Sequence, residues 1–219
     1  MGTHSKNSEL QTLEQYRVTF ENAASQEQIS TTLAEYGYDS AAMATGKALY
    51  DATRQAYDSN TKETDESTAA YAVFESKKQE LVNIYSSHRK KAKVVFRKDT
   101  VTADRLAITG SLPQAYVKWL ETVKKFYTIS IESAKIQTAL SRMKITLDDL
   151  NTANAIIPEV EATRSSYLKE KGESQDATKA KDSAFSELDD WMSEFYAVAK
   201  IALEDNPQLL EALGLVIKS

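Results

Sequence analysis

Lys169-Glu170-Lys171-Gly172-Glu173 is the stretch on which the fold turns. Upstream of it one face is marked by Ile156, Val160, Thr163 and Tyr167; downstream by Ala184, Leu188, Trp191, Phe195 and Val198. Spacings of three and four keep side chains on one face of a helix. The second series resumes in phase with the first, as a single helix running through Gly172 requires. A turn at Gly172 would instead fold this half into a three-helix bundle. The phasing favours one helix from Thr146 to about Asp205, roughly 90 Å at 1.5 Å per residue.

The first half carries a matching segment from Asp39 to about Lys98, with a polar middle at Asp58-Ser59-Asn60-Thr61. A shift of 107 residues lays apolar positions onto apolar positions: Leu13 on Leu120, Phe20 on Tyr127, Ile29 on Ile136, Leu33 on Leu140 and Tyr36 on Met143. The series goes on with Leu49 on Ile156, Leu81 on Leu188, Ile84 on Trp191 and Leu106 on Leu213, and Ala92–Phe96 falls on Ala199–Leu203. In the middle a shift of 110 fits better, placing Ala52-Thr53-Arg54 and Tyr57 on Ala162-Thr163-Arg164 and Tyr167. A slip of three is close to one helical turn and keeps the buried face. Ordered matches of this length point to internal duplication, with repeat units at 1–110 and 111–219 packed as one structural domain.

The joints repeat as well. Asp39 and Thr146 are good N-caps, each with an apolar residue before it (Tyr38, Ile145) and another four after it (Met43, Leu150), the pattern of a hydrophobic staple. Asp149, three residues after Thr146, approaches a capping box. A helix therefore ends near Tyr36-Gly37, and another near Met143, and each runs straight into a long helix as a hairpin. Ser25 with Gln28 reads as a second capping box that restarts the first helix. Asn206-Pro207 opens a short final helix that stops at Gly214, and its counterpart is expected over 102–110. The expected fold is all-α: an elongated helical bundle of two pseudo-symmetric helical-hairpin repeats, its long helices paired antiparallel in coiled-coil fashion.

The joint Tyr36-Gly37-Tyr38 and the tail Leu188-Asp189-Asp190-Trp191-Met192, Ala199–Asp205 and Pro207–Gly214 resemble an uncharacterised family of bacterial helical-repeat proteins. The resemblance covers the full length and is most specific in the last thirty residues. It implies the duplicated all-helical fold and no activity.

Composition agrees with long helices. The 219 residues include only 6 Gly and 3 Pro, so few positions interrupt a helical ladder. The net charge of -5 argues against a general nucleic-acid binder. With no Cys, disulfides, thiolate zinc sites and cysteine nucleophiles are excluded. Met1–Leu10 lacks the apolar run of a signal peptide, and Lys6 spoils a myristoylation motif at Met1-Gly2. No stretch reaches the roughly eighteen apolar residues of a membrane span, so a cytoplasmic location is the expectation.

Chemistry-bearing residues are sparse. His4 and His88 are the two histidines, and neither stands in an HExxH or ExxH spacing, so no metal site or triad is expected. His88 reads as a surface or interface residue. Glu187, Asp189, Asp190 and Glu194 share a helical face and could hold a hard cation, but the plainer reading is a solvated stripe opposite Leu188, Trp191, Met192 and Phe195. Tyr36, Tyr50, Tyr57, Tyr85, Tyr127 and Tyr167 stand at core spacing, and Trp119 and Trp191 add further ring surface. No Gly-rich phosphate loop is present.

The strongest charge feature is Arg89, Lys90, Lys91, Lys93, Arg97 and Lys98, with no acid before Asp99. Cations at a helix C-terminus answer its macrodipole, which is the first explanation. Six within ten residues exceed that need, so an acidic protein or membrane surface comes next and nucleic acid last. The function expected is a non-enzymatic scaffold or protein-interaction protein that meets another protein or a second copy of itself. No catalytic residue, cofactor or metal is assigned. The alternative is a small-molecule binder or unusual enzyme using a cleft between the two repeat units.

Overall fold

Between Ser8 and Asp39 the chain makes two short helices and a turn whose chemistry sets everything after it. A computed structural model describes residues 8–215, so the Met1-Gly2 start and His4 lie outside the described residues. Eight helices occur among the described residues: α1 Glu9–Ser25, α2 Glu27–Glu35, α3 Ser40–Val95, α4 Thr100–Arg105, α5 Tyr116–Glu132, α6 Ala134–Ser141, α7 Leu147–Ala202 and α8 Pro207–Ala212. The chain is all-α there, with no strand. No described helix is long and apolar enough to cross a membrane.

Both long segments are continuous helices of 56 residues each. Gly172 lies inside α7, and a Cβ built there meets nothing within 4 Å. Gly172→Ala should therefore stabilise the protein by up to about 1 kcal/mol, because alanine leaves less backbone entropy to lose. Chemical denaturation measures it, and a lowered midpoint would mean that the chain turns at this glycine. The same helix runs through Pro158, which supplies no N–H to the ladder; its ring is exposed, so solvent can take up the freed carbonyl.

The N-caps expected at both joints are present. The Asp39 carboxylate accepts from the N–H groups of Ala41 and Ala42 at 3.0 and 2.9 Å. Thr146 and Asp149 form a reciprocal capping box, the N–H of Thr146 donating to the carboxylate at 2.7 Å and the N–H of Asp149 to the hydroxyl at 3.1 Å. Each preceding helix closes with paired backbone bonds: Tyr38 N–H to Leu33 O and Gly37 N–H to Ala34 O, then Ile145 N–H to Leu140 O and Lys144 N–H to Ser141 O. The pivot residues are left-handed, Gly37 at φ 90° and Lys144 at φ 55°.

Three local expectations need correction. The restart after α1 comes at Gln26, which has no side-chain cap bond; the capping box of α1 is Ser8 with Gln11. Extended backbone at Gln26 breaks the ladder without help from Ser25. The helix expected over 102–110 is α4, which starts at Thr100 under the Asp99 cap and closes at Ala107, at φ 51°, well before Gly110. The Asp99 carboxylate, accepting from Thr102 N–H at 3.0 Å and from its hydroxyl at 2.7 Å, fixes that earlier start. Asn206 precedes Pro207 as expected, but its side chain makes no cap bond.

The described chain gathers into two compact units, and each draws on both halves of the sequence. Unit 1 comprises residues 1–64 and 173–219: α1, α2, the start of α3, the end of α7, and α8. Here α3 and α7 run antiparallel, with Thr53 Oγ1 donating to Ala184 O at 3.0 Å and Asn60 Nδ2 to Thr178 Oγ1 at 2.9 Å. Its core centres on Leu13, Phe20, Ile29, Leu33, Leu188 and Phe195. A polar knot ties α1 to the end of α8: Thr19 donates to Leu213 O at 3.0 Å and Asn22 to Ala212 O at 2.7 Å.

Unit 2 comprises residues 65–172: the end of α3, α4, α5, α6 and the start of α7. The two long helices are antiparallel here too, as the 2.9 Å pair Lys77–Glu159 and the stacking of Phe74 on Tyr167 require. Its core centres on Leu81, Tyr85, Phe126, Tyr127, Leu140 and Leu150. Tyr36, assigned to the core from its spacing, is 49% exposed. It is the C-cap of α2, where the chain leaves helical phase.

Candidate functional site

The basic run at the end of α3 divides by what its side chains touch. Arg89 donates to Gly110 O at 2.8 Å and Lys93 to the same oxygen at 3.2 Å. These two cations hold down the loop after α4, whose carbonyls have no helical partner. Lys91 is half-buried and close enough to His88 and Asp149 to influence both electrostatically. Lys90, Arg97 and Lys98 are exposed, with no ion pair or side-chain hydrogen bond among the described residues. The macrodipole alone would need fewer charges than this. Val94 and Val101, 55% and 71% exposed, lie among these cations.

Unit 2 as a whole is basic: residues 65–172 hold eighteen Lys and Arg against thirteen Asp and Glu, a net of +5. Unit 1 holds nine basic and nineteen acidic side chains, a net of −10. Potentials of this kind steer partners of opposite sign.

His88 is not a surface residue. It is 8% exposed, and its Nδ1 lies 3.2 Å from the Tyr127 hydroxyl. Burial holds its pKa below the usual histidine value; Lys91 pushes it further down and Asp149 pulls it up. It lines a groove of about 480 Å³ with Asn83, Ile84, Ser87, Asp149 and Thr152. Ser87 and Asp149 beside a histidine suggest a relay, but the imidazole bonds to Tyr127 and the Asp149 carboxylate to Thr146. No nucleophile is activated by this arrangement.

The neutral, buried imidazole has a pH consequence. A histidine whose folded pKa is depressed stabilises the fold above its unfolded value of 6.5, and that stability is lost as pH falls through the folded pKa. The unfolding free energy should therefore drop between pH ~7 and ~5, with His88→Gln showing a flatter profile over the same window. Urea titrations across that range test it, and parallel profiles for the two proteins would remove His88 as the cause.

Among the carboxylates, Glu187, Asp190 and Glu194 are exposed, as a solvated stripe should be. Asp189 departs from it: half-buried, it accepts from the Tyr16 hydroxyl at 2.8 Å, and burial together with this bond raises the tyrosine's pKa. This bond joins α1 to α7.

An apolar pocket of about 490 Å³ lies wholly within unit 1, between α1, the Tyr38-Asp39 joint and the start of α3. Phe20, Ala23, Tyr38 and Met43 line it, with Glu21 and Lys47 among its polar side chains. Spacing patterns could not announce it, because it arises where α1 and the start of α3 leave room between them. The exposed acids Glu204 and Asp205, in the turn after α7, were also missed. Their signal was present, since a shift of 107 sets them opposite Arg97 and Lys98. No known protein family, no curated protein and no solved structure matches this chain.

Proposed function

We propose that the protein is a non-enzymatic helical scaffold that docks an acidic protein surface onto the basic end of α3. The observation that carries this reading is the set of exposed cations Lys90, Arg97 and Lys98 around Val94, unpaired among the described residues, in a unit of net charge +5. Exposed apolar surface ringed by one sign of charge is the make-up of a steered protein contact. Its test is the triple variant Lys90→Glu, Arg97→Glu, Lys98→Glu. Helical content by circular dichroism should stay unchanged while capture of acidic partners is lost. Duplex DNA should not bind detectably at physiological salt; a tight complex with a steep salt slope would reverse the ranking of partners. The cytoplasm suits such a cysteine-free chain.

The scaffold is read as a tandem duplication, 1–110 and 111–219, as the resemblance to a bacterial helical-repeat family implies. Helix bounds support it: α1, α3 and α4 recur as α5, α7 and α8 at a constant offset of 107. The left-handed residues keep the same offset, Gly37 with Lys144 and Ala107 with Gly214.

The pocket in unit 1 favours a second reading, a site for a small apolar ligand, since its volume falls in the usual range for such sites. A ligand that binds there must raise the melting temperature, and Ala23→Trp, which fills the space, must abolish that rise.

A further inference from the structure

The last turns of α3 and α7 offer the same surface with opposite charge. Val94 and Ile201 each stand one residue before the end of their helix, 55% and 59% exposed. The turn after α3 then presents Arg97 and Lys98, and the turn after α7 presents Glu204 and Asp205, all four exposed and none in an ion pair among the described residues. The first turn belongs to the unit of net charge +5 and the second to the unit of net charge −10. Each pair leaves two unit charges beside an apolar side chain that has no cover.

Building on the reading that the basic end docks an acidic protein, we infer that the acidic partner is a second copy of this chain. The end of α3 in one copy meets the end of α7 in the next. Val94 packs against Ile201, and Arg97 and Lys98 pair with Glu204 and Asp205. Contacts between two identical ends would set like charges together, so each contact joins the α3 end of one copy to the α7 end of another. Two such contacts related by a two-fold axis close a dimer; a single contact leaves one basic and one acidic end open, and growth continues until the copies close into a ring.

Sedimentation equilibrium of the full chain, at low and high salt, tests this. At about 10 mM salt the weight-average mass should rise with concentration to at least about twice the 24.4 kDa monomer, and at about 1 M it should return to the monomer. Arg97→Glu with Lys98→Asp makes both ends acidic; Glu204→Arg with Asp205→Lys makes both basic. Each variant alone should stay monomeric with unchanged helical content, and an equimolar mixture of the two should associate. Ile201→Ser should weaken association of the wild type without altering its salt dependence. A wild type that stays monomeric at low salt overturns the inference. If acidic heterologous proteins still bind it and are lost on reversing Arg97 and Lys98, the basic-end reading survives without the self-partner. If they bind the variant equally well, that reading falls too. Self-association that persists in both single-end variants places the interface elsewhere and also overturns the inference.

Discussion

Truncating either Leu81 or Leu188 to alanine is expected to cost about 3–5 kcal/mol of unfolding free energy, the upper part of the range for a buried leucine. Both side chains are fully buried, Leu81 in the core of unit 2 and Leu188 in that of unit 1. Leu81 lies with Tyr85 and Phe126, Leu188 with Met192 and Phe195, and large rigid rings cannot collapse into the space a leucine leaves. The two losses should be similar because the positions correspond at an offset of 107. Urea unfolding with a shared slope measures both. A severe loss at one site with a neutral change at the other would break the correspondence. A two-step transition in one variant would show that the unit holding that leucine unfolds by itself.

The second large effect is at Gly46 of α3. A Cβ placed there would lie well inside 3.0 Å of three ring carbons of Trp191. That indole has nowhere to retreat: it stacks on Phe20 and Phe195, with centroids 5.5 and 5.4 Å away, and Tyr38 meets its ring plane at 82°. Gly46→Ala should therefore destabilise by about 3 kcal/mol, the top of the usual overpacking range, although alanine is the better helix former. The corresponding pair in unit 2, Ala153 with Ile84, shows how the conflict is avoided, since a smaller side chain on the facing helix leaves room for the methyl. Combining Gly46→Ala with Trp191→Ile should recover at least about 1 kcal/mol relative to the sum of the single changes. Additive losses, or a neutral Gly46→Ala, would mean that the indole is free to move.

These two predictions mark what was legible and what was not. Leu81 and Leu188 announce their burial through spacing, because a helix repeats its inward face every three or four residues. The caps at Asp39 and Thr146 are equally local, since an N-cap acts on N–H groups two or three residues away. Phase favours continuity through Gly172 without deciding it. His88 misled because a single polar residue carries no periodicity; it is buried by α5, whose Tyr127 meets its ring. Tyr36 misled in the opposite sense, holding its spacing while the chain had already left the helix.

The basic run was visible as composition, yet its division was not. That Arg89 and Lys93 serve Gly110 depends on where the loop after α4 returns, some twenty residues later in the chain. The charge of each unit was equally hidden. The sequence halves 1–110 and 111–219 carry nets of only −1 and −4. Because α3 and α7 each pass from one unit into the other, folding re-sorts those same charges into −10 and +5.

By itself, then, the sequence determined that the chain is helical, where the two long helices start, which leucines and rings face inward, and a phase that favours their continuity. All of these follow from interactions within about one turn of helix. Only the tertiary structure decided which helix covers which face: Trp191 over Gly46, Tyr127 over His88, and acidic and basic side chains gathered into separate units. A periodic pattern states that a face must be covered but carries no address for its partner, and that partner is chosen by shape and charge between segments far beyond one helical turn of each other in the chain.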